Sequence, residues 1–283
     1  SRHPGRMHAC GHDGHMAVVL ELARRLARRR DLPHNVLLVF QPAEETTGGA
    51  RPICESGVFA QFHTRAIFGL HLWPDLPAGT VASIPGGMMC RSSEVTLAVT
   101  GQTAHVAKAA QGRDALEAAA RWYLGALDLE RQLPPDEPRL LKFGVLRAGD
   151  VRNALAGSAR LEGTLRAFRD PVFDRLRQAL EDLARQVAAG TGCRLALTFS
   201  QGYPAVWNPP DLLARVEAVC PVSRLDRPAL ITEDFSWYQR TLPGLFFFLG
   251  CGPAPALHAP DFQFDERVLA RGADLFTRIA EEF

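Results

Sequence analysis

Three short apolar runs constrain this fold more than any other feature of the chain. They are residues 35–40 ("NVLLVF"), 66–71 ("AIFGLH") and 244–249 ("GLFFFL"). Each is too short for a helix and lacks the alternation of a half-exposed strand, so each reads as a strand buried on both faces. Such strands belong to a mainly parallel sheet covered by helices. The intervening text supplies the helices. Met16, Val19, Leu20, Leu22, Ala23 and Leu26 recur at helical spacing over residues 14–30, and Pro33 ends that segment. Further helices are expected at 50–56, 209–219 and 265–282. In sheets of this kind chemistry gathers at the carboxyl ends of strands, where "QPAEE" and the "LH" at 70–71 fall.

The pattern changes near residue 91. Strands are expected at 93–101, 140–146, 159–168 and 193–200, and helices at 114–132 and 170–189, the latter with Pro171 in its first turn. The order β-α-β-β-α-β is the split, ferredoxin-like arrangement. The chain therefore reads as a discontinuous α/β domain, residues 1–90 and 201–283, interrupted by an α+β domain at 91–200.

Composition narrows the function. A net charge of +1 leaves no basic field for nucleic acid. No run reaches the ~18 apolar residues of a membrane span. The six cysteines are scattered without a CxxC pair, which excludes a small disulfide scaffold and makes a reducing cytoplasm the expected compartment.

Chemistry concentrates at the start, in "MHACGHDGH", residues 7–15. Cys10 and His12 are alternate residues in a glycine-containing loop, where a thiolate and an imidazole can bind a borderline metal such as zinc. An unliganded loop cysteine beside a histidine would look the same. Glu44 and Glu45 are adjacent carboxylates, which repel unless a cation or proton holds them; one can ligate while the other shuttles protons. A solvated acidic turn is the plain alternative. His71 ends an apolar strand, and His258 sits in "LHAPDFQFDE". Together they place soft and hard ligands at the ends of several elements.

These segments, with "FGLHLWPDLPAG", "GQTAHVAKAAQGRDA", "ITEDFSWY" and "PGLFFFLG", resemble the M20 metallopeptidase superfamily, in the same order along essentially the whole chain. The nearest branch is that of hippurate hydrolase, N-acyl-amino-acid amidohydrolases and auxin-conjugate hydrolases. The resemblance implies a zinc-peptidase-like α/β catalytic domain with an inserted ferredoxin-like lid that mediates homodimerisation. It implies two divalent ions (Zn, Mn, Co or Ni), with Cys10 bridging them and His12, Glu45, His71 and His258 as the other ligands. Glu44 matches the general base. His105 matches the lid histidine that polarises the scissile carbonyl, and Asn153 and Arg166 match polar substrate contacts. Asp13 is a candidate to orient a ligand histidine; His8 and His15 match no ligand position and are expected to pack or hydrogen-bond locally. Glu233-Asp234 reads equally as a structural cap or a catalytic pair.

The implied reaction is hydrolysis of the amide bond of an N-acyl or N-aroyl amino acid. N-acetyl-diaminopimelate deacetylation and dipeptide cleavage use similar motifs, and a non-catalytic metal-binding protein is the reading from a different class. Two departures stand out. Family members carry a strand-bearing segment upstream of "MHACGHD", so the catalytic domain is expected to lack its N-terminal segment here. After His105, Val106-Ala107-Lys108-Ala109 replaces the usual small residue and proline.

Overall fold

A computed structural model describes residues 4–283. It divides into two compact units. One comprises residues up to Met88 with Val206–Ala229 and Glu233–Phe283; the other comprises Met89–Ala205 with Leu230–Thr232. Residues 89–90, 201–205 and 230–232 thus group with the second unit, whereas the sequence reading assigned them to the first. The fold is mixed α/β.

In the first unit the run at 244–249 forms the strand Gly244–Gly252, buried at every position. Leu245, Phe247 and Leu249 enter one core on one face. On the other, Phe246 packs on Phe235 (centroids 4.9 Å apart) and Phe248 stacks on Trp73 (4.1 Å). Burial on both faces is why the run shows no alternation. Ile67–Pro77 pairs with it in parallel, His71 opposite Phe248. The rest of the sheet is mixed: Val81–Ser83 joins antiparallel, and Ser223–Arg224 follows in parallel. The helices His12–Leu26 and Leu269–Glu282 close one side, with Val18, Leu22, Leu275, Phe276 and Ile279 in the core. Buried Asn208 ties the layers: its amide donates to Ser83 Oγ (2.8 Å) and the Phe246 carbonyl (3.0 Å), and its Oδ1 accepts from the Phe246 N–H (2.9 Å).

The run at 35–40 corrects one expectation. It forms no strand, and among the described residues no backbone hydrogen bond holds it. Val36 and Phe40 are exposed, while Leu38 packs against the first core. A strand exists only through its partners, and among the described residues none lies beside this segment.

In the second unit, Arg91–Thr100, Arg139–Ala148, Ser158–Ala167 and Arg194–Phe199 form an antiparallel sheet. Its spatial order is 139–148, 158–167, 91–100, 194–199. Helices Ala115–Arg131 and Asp170–Thr191 pack their apolar stripes on it. Trp122, Phe173, Leu97, Leu161 and Leu176 fill that core. The first helix starts where Asp114 accepts the N–H groups of Leu116 and Glu117. The second carries Pro171 in its first turn and stops at left-handed Gly192. No helix is long and apolar enough to cross a membrane among the described residues.

Candidate metal centre

Gly11 sets the first part of the site. It caps the helix His12–Leu26 in a left-handed conformation (φ 78°), and a Cβ there would lie 2.9 Å from Leu72 Cδ1. Only glycine allows that turn and approach together. Cys10 and His12 flank it, tucked against the strand that carries His71. Strand alternation puts Leu70 and Leu72 in the core and His71 on the opposite face.

His71 is buried, and its Nδ1–H donates to the Leu72 carbonyl (2.7 Å). A carbonyl only accepts, so this bond fixes the tautomer and leaves Nε2 as an electron-pair donor, 3.3 Å from Cys10 Sγ. His15 makes the complementary contact, its Nε2 accepting the Leu72 N–H (2.9 Å). The sequence reading expected His15 to pack or hydrogen-bond locally; its bond instead reaches 57 positions along the chain and braces the His71 strand.

The loop at 41–50 brings the carboxylates. Ala43 is left-handed (φ 63°), a conformation that costs a non-glycine residue about 1–2 kcal/mol. Its carbonyl accepts from the Gly48 N–H (2.9 Å), which curls the loop and presents Glu44 and Glu45. His12 Nε2 lies 3.8 Å from Glu44 Oε2 and 3.6 Å from Glu45 Oε1. His258, also left-handed (φ 66°), is anchored by its N–H to the Ala9 carbonyl (2.7 Å), and its Nε2 lies 3.4 Å from Glu45 Oε1.

The donor atoms form overlapping triads, each within 4.8 Å: Cys10, His12 and His71; Cys10, Glu45 and His258; His12, Glu44 and Glu45. Cys10 belongs to two of them, and so does Glu45. One thiol, three imidazoles and a carboxylate form a donor set suited to divalent transition-metal ions. The titration behaviour agrees with a site built for cations. Burial, then a hydrogen bond and charge from Glu45, pushes the Cys10 thiol far up. Burial, then the charges of Glu45 and Asp234, pushes Glu44 up to about 7. Burial pushes His71 down to about 4 and lowers His12. Without metal the Cys10 thiol and His71 are therefore uncharged at neutral pH, because burial penalises their charged forms.

The remaining sequence candidates lie elsewhere. Asp13 is exposed in the first helical turn and hydrogen-bonds no ligand histidine; the Leu72 carbonyl holds His71 instead. His105, Asn153 and Arg166 belong to the second unit. There His105 bridges to Ala154, and the Val106 N–H donates to the Asn153 carbonyl (3.1 Å), so these two segments are neighbours. Arg166 donates to the Leu230 carbonyl.

Sequence reasoning missed the buried support behind the carboxylates. Asp234, 1% exposed, accepts Gln41 Nε2 on both oxygens (2.8 Å each) and the Ala50 N–H (3.1 Å). Tyr238 donates its hydroxyl to Gln41 Oε1 (2.7 Å). Glu233 is also buried, and burial with the charges of Glu44 and Asp234 holds its pKa well above the carboxylate range.

Comparison with known proteins gives consistent results. The family model described as Peptidase family M20/M25/M40 matches residues 1–282. The chain is 34% identical over 291 residues to an N-acetyldiaminopimelate deacetylase of Lacticaseibacillus casei (strain BL23), covering 99% of this chain and 76% of the relative. An N-acetyldiaminopimelate deacetylase of Shouchella clausii (strain KSM-K16) is 32% identical over 278 residues, covering 95% and 73%. Among solved structures, the Bacillus subtilis YXEP protein, described as a dinuclear metal binding peptidase from the M20 family, superposes with a TM-score of 0.83 at 29% identity, covering 99% of this chain and 74% of that one.

Proposed function

Because the chain belongs to peptidase family M20/M25/M40, hydrolases of amide bonds, we propose that it is a binuclear metal-dependent amidohydrolase that removes an acyl group from the nitrogen of an amino acid. One observation carries this reading: a half-buried carboxyl, Glu44, stands 3.8 Å from His12 Nε2, beside the metal-type donors Cys10, His12, Glu45, His71 and His258, where an ionised carboxylate can accept a proton.

Cys10, His12, Glu45, His71 and His258 would hold two divalent ions, which supply Lewis-acid activation of a water and of the scissile carbonyl. Glu44 takes the proton from the attacking water and returns it to the leaving amine. Leu72, through its carbonyl and N–H, keeps His71 and His15 in register so that His71 offers Nε2. The second unit is read as the family's inserted ferredoxin-like lid, through which two copies would dimerise. In this reading His105 polarises the substrate carbonyl, and Asn153 and Arg166 bind its polar groups.

On substrate, the relatives named N-acetyldiaminopimelate deacetylase support an N-acetylated diamino acid over the hippurate-type conjugates. The test is turnover of N-acetyl-diaminopimelate, N-acetyl-methionine and hippurate by metal-stripped and metal-restored protein, beside Glu44→Gln. The reading expects metal-dependent hydrolysis, fastest on N-acetyl-diaminopimelate and lost in Glu44→Gln. Metal binding without turnover on any of the three would overturn it.

A further inference from the structure

The loop that presents Glu44 and Glu45 has an unusual construction. It is closed at its neck by a residue almost two hundred positions away. Gln41 and Ala50 stand at the two ends of the loop, and both donate to the single carboxylate of Asp234. Gln41 is fixed from the other side by the Tyr238 hydroxyl, which burial keeps protonated and donating. Between these ends the chain passes through left-handed Ala43 and packs its neck so tightly that a Cβ on Gly49 would lie 2.0 Å from the Pro42 carbonyl oxygen. A loop bent this sharply does not hold its shape through local contacts alone. Beyond the clamp, the backbone bonds that hold it among the described residues run to the Ala43 carbonyl, from the Thr46 and Gly48 N–H groups, and from the Ile53 N–H to the Gly49 carbonyl.

Asp234 does not do what its position suggests. It precedes the helix Ser236–Thr241, yet that helix has no side-chain cap, and both Asp234 oxygens are taken by Gln41 and Ala50. A buried carboxylate is costly unless each lone pair has a partner. Here the partners are the two ends of the carboxylate-bearing loop, together with the neighbouring Glu233 carboxyl.

We infer that Asp234, with Gln41 and Tyr238, is a positioning clamp: it closes the 41–50 loop and so sets where Glu44 and Glu45 stand relative to His12 and His258. It acts through hydrogen bonds to the loop neck and does not touch the substrate. This rests on the proposed roles of Glu44 as base and Glu45 as ligand. Partners that orient metal ligands typically change metal affinity or activity by about 10–100-fold when removed, and the clamp predicts an effect of that size.

The experiment compares wild type with Asp234→Ala, Gln41→Ala, the double variant and Asp234→Asn in the full chain. Three quantities are read: Co2+ affinity from its visible absorption, kcat and KM on N-acetyl-diaminopimelate, and thermal unfolding. Asp234→Ala should weaken Co2+ binding about 10–100-fold and lower kcat by a similar factor with KM within about twofold. Gln41→Ala, at a half-buried loop position, should reproduce the effect without removing a core carboxylate, and the double variant should be no worse than Asp234→Ala. Asp234→Asn should recover Co2+ affinity to within about fivefold of wild type, because a flipped Gln41 amide restores the bonds without the charge. Wild-type Co2+ affinity in both folded alanine variants, or an Asn variant as deficient as Ala, would overturn the clamp. If wild type itself fails to hydrolyse any substrate, the proposed activity fails, and the Co2+ ratios still decide the clamp. Should Asp234→Ala not fold, Gln41→Ala decides it.

Discussion

Loading the metal-free protein should release protons in a number that depends on pH in a defined way. The Cys10 thiol is pushed far above neutrality by burial and by Glu45, so it is fully protonated before loading and a thiolate once it ligates. It contributes about one proton at any pH between 6 and 8. Glu44, at about 7, is half protonated at pH 7, and a divalent cation beside it favours the ionised form. It adds about 0.9 proton at pH 6, about 0.5 at pH 7 and about 0.1 at pH 8. His71, pushed down to about 4, is already neutral and releases none; burial lowers His12 in the same direction. Fully buried Glu233 keeps its proton. Cys10 and Glu44 together therefore contribute about 1.9, 1.5 and 1.1 protons per filled centre at the three pH values. Isothermal titration with Zn2+ or Co2+ in two buffers of different ionisation enthalpy measures this number directly. Cys10→Ser should lower it by about one at every pH, and Glu44→Gln should lower it by about 0.9, 0.5 and 0.1 at pH 6, 7 and 8. A release below one, or a release independent of pH in wild type, would refute the assignment of Cys10 as ligand or of Glu44 as the poised carboxyl respectively.

The same carboxyl couples activity to stability. Its folded pKa, about 7, exceeds the ordinary 4.5, so the folded state binds more protons in that window and Glu44 costs stability as pH rises through it. Glu44→Gln should thus abolish turnover yet stabilise the metal-free protein by about 3 kcal/mol at pH 8, a gain that vanishes by pH 4.5 in urea unfolding. Asn208→Ala should cost about 2–4 kcal/mol in the same assay, because it strands the buried N–H of Phe246 and empties the space between layers. Gly11→Ala, at φ 78° and with its new methyl against Leu72, should cost about 1–2 kcal/mol and weaken Co2+ binding, since it displaces Cys10 and His12 together.

What the sequence made legible follows from how local each signal was. The run at 244–249 announced a strand buried on both faces because every one of its side chains meets core. The second unit was readable element by element, since each helix carries its own stripe and Asp114 or Pro171 marks its start. The cluster of Cys10, His12, Glu44, Glu45, His71 and His258 was named from short motifs, each with a recognisable residue type. The run at 35–40 misled because periodicity reports apolar character and cannot report a partner strand. Val81–Ser83 is three residues long, too short for any period, so the mixed character of the sheet went unread. The Asp234 clamp had no local signature either: its bonds to Gln41 span 193 positions, and nothing in "EDFSWY" distinguishes a cap from a brace.

The distribution of strain links these observations. Of the three non-glycine residues with positive φ among the described residues, Ala43 and His258 bear directly on the carboxylate and histidine donors. Neither conformation is favoured by its residue type, so each persists only where surrounding bonds over-determine it. For His258 that bond is its N–H to the Ala9 carbonyl, which ties its loop to the loop of Cys10. For Ala43 it is the Gly48 N–H, inside a neck closed by Asp234. The regular elements supply the other donors without such strain: a helix start gives His12 and a strand face gives His71. The centre is thus assembled from two rigid pieces and two bent loops. The bent loops carry the carboxylates and the exposed histidine, the groups that must adjust as charge enters. Their braces, rather than the donors themselves, are where substitutions should tune metal affinity without changing the metal's ligands.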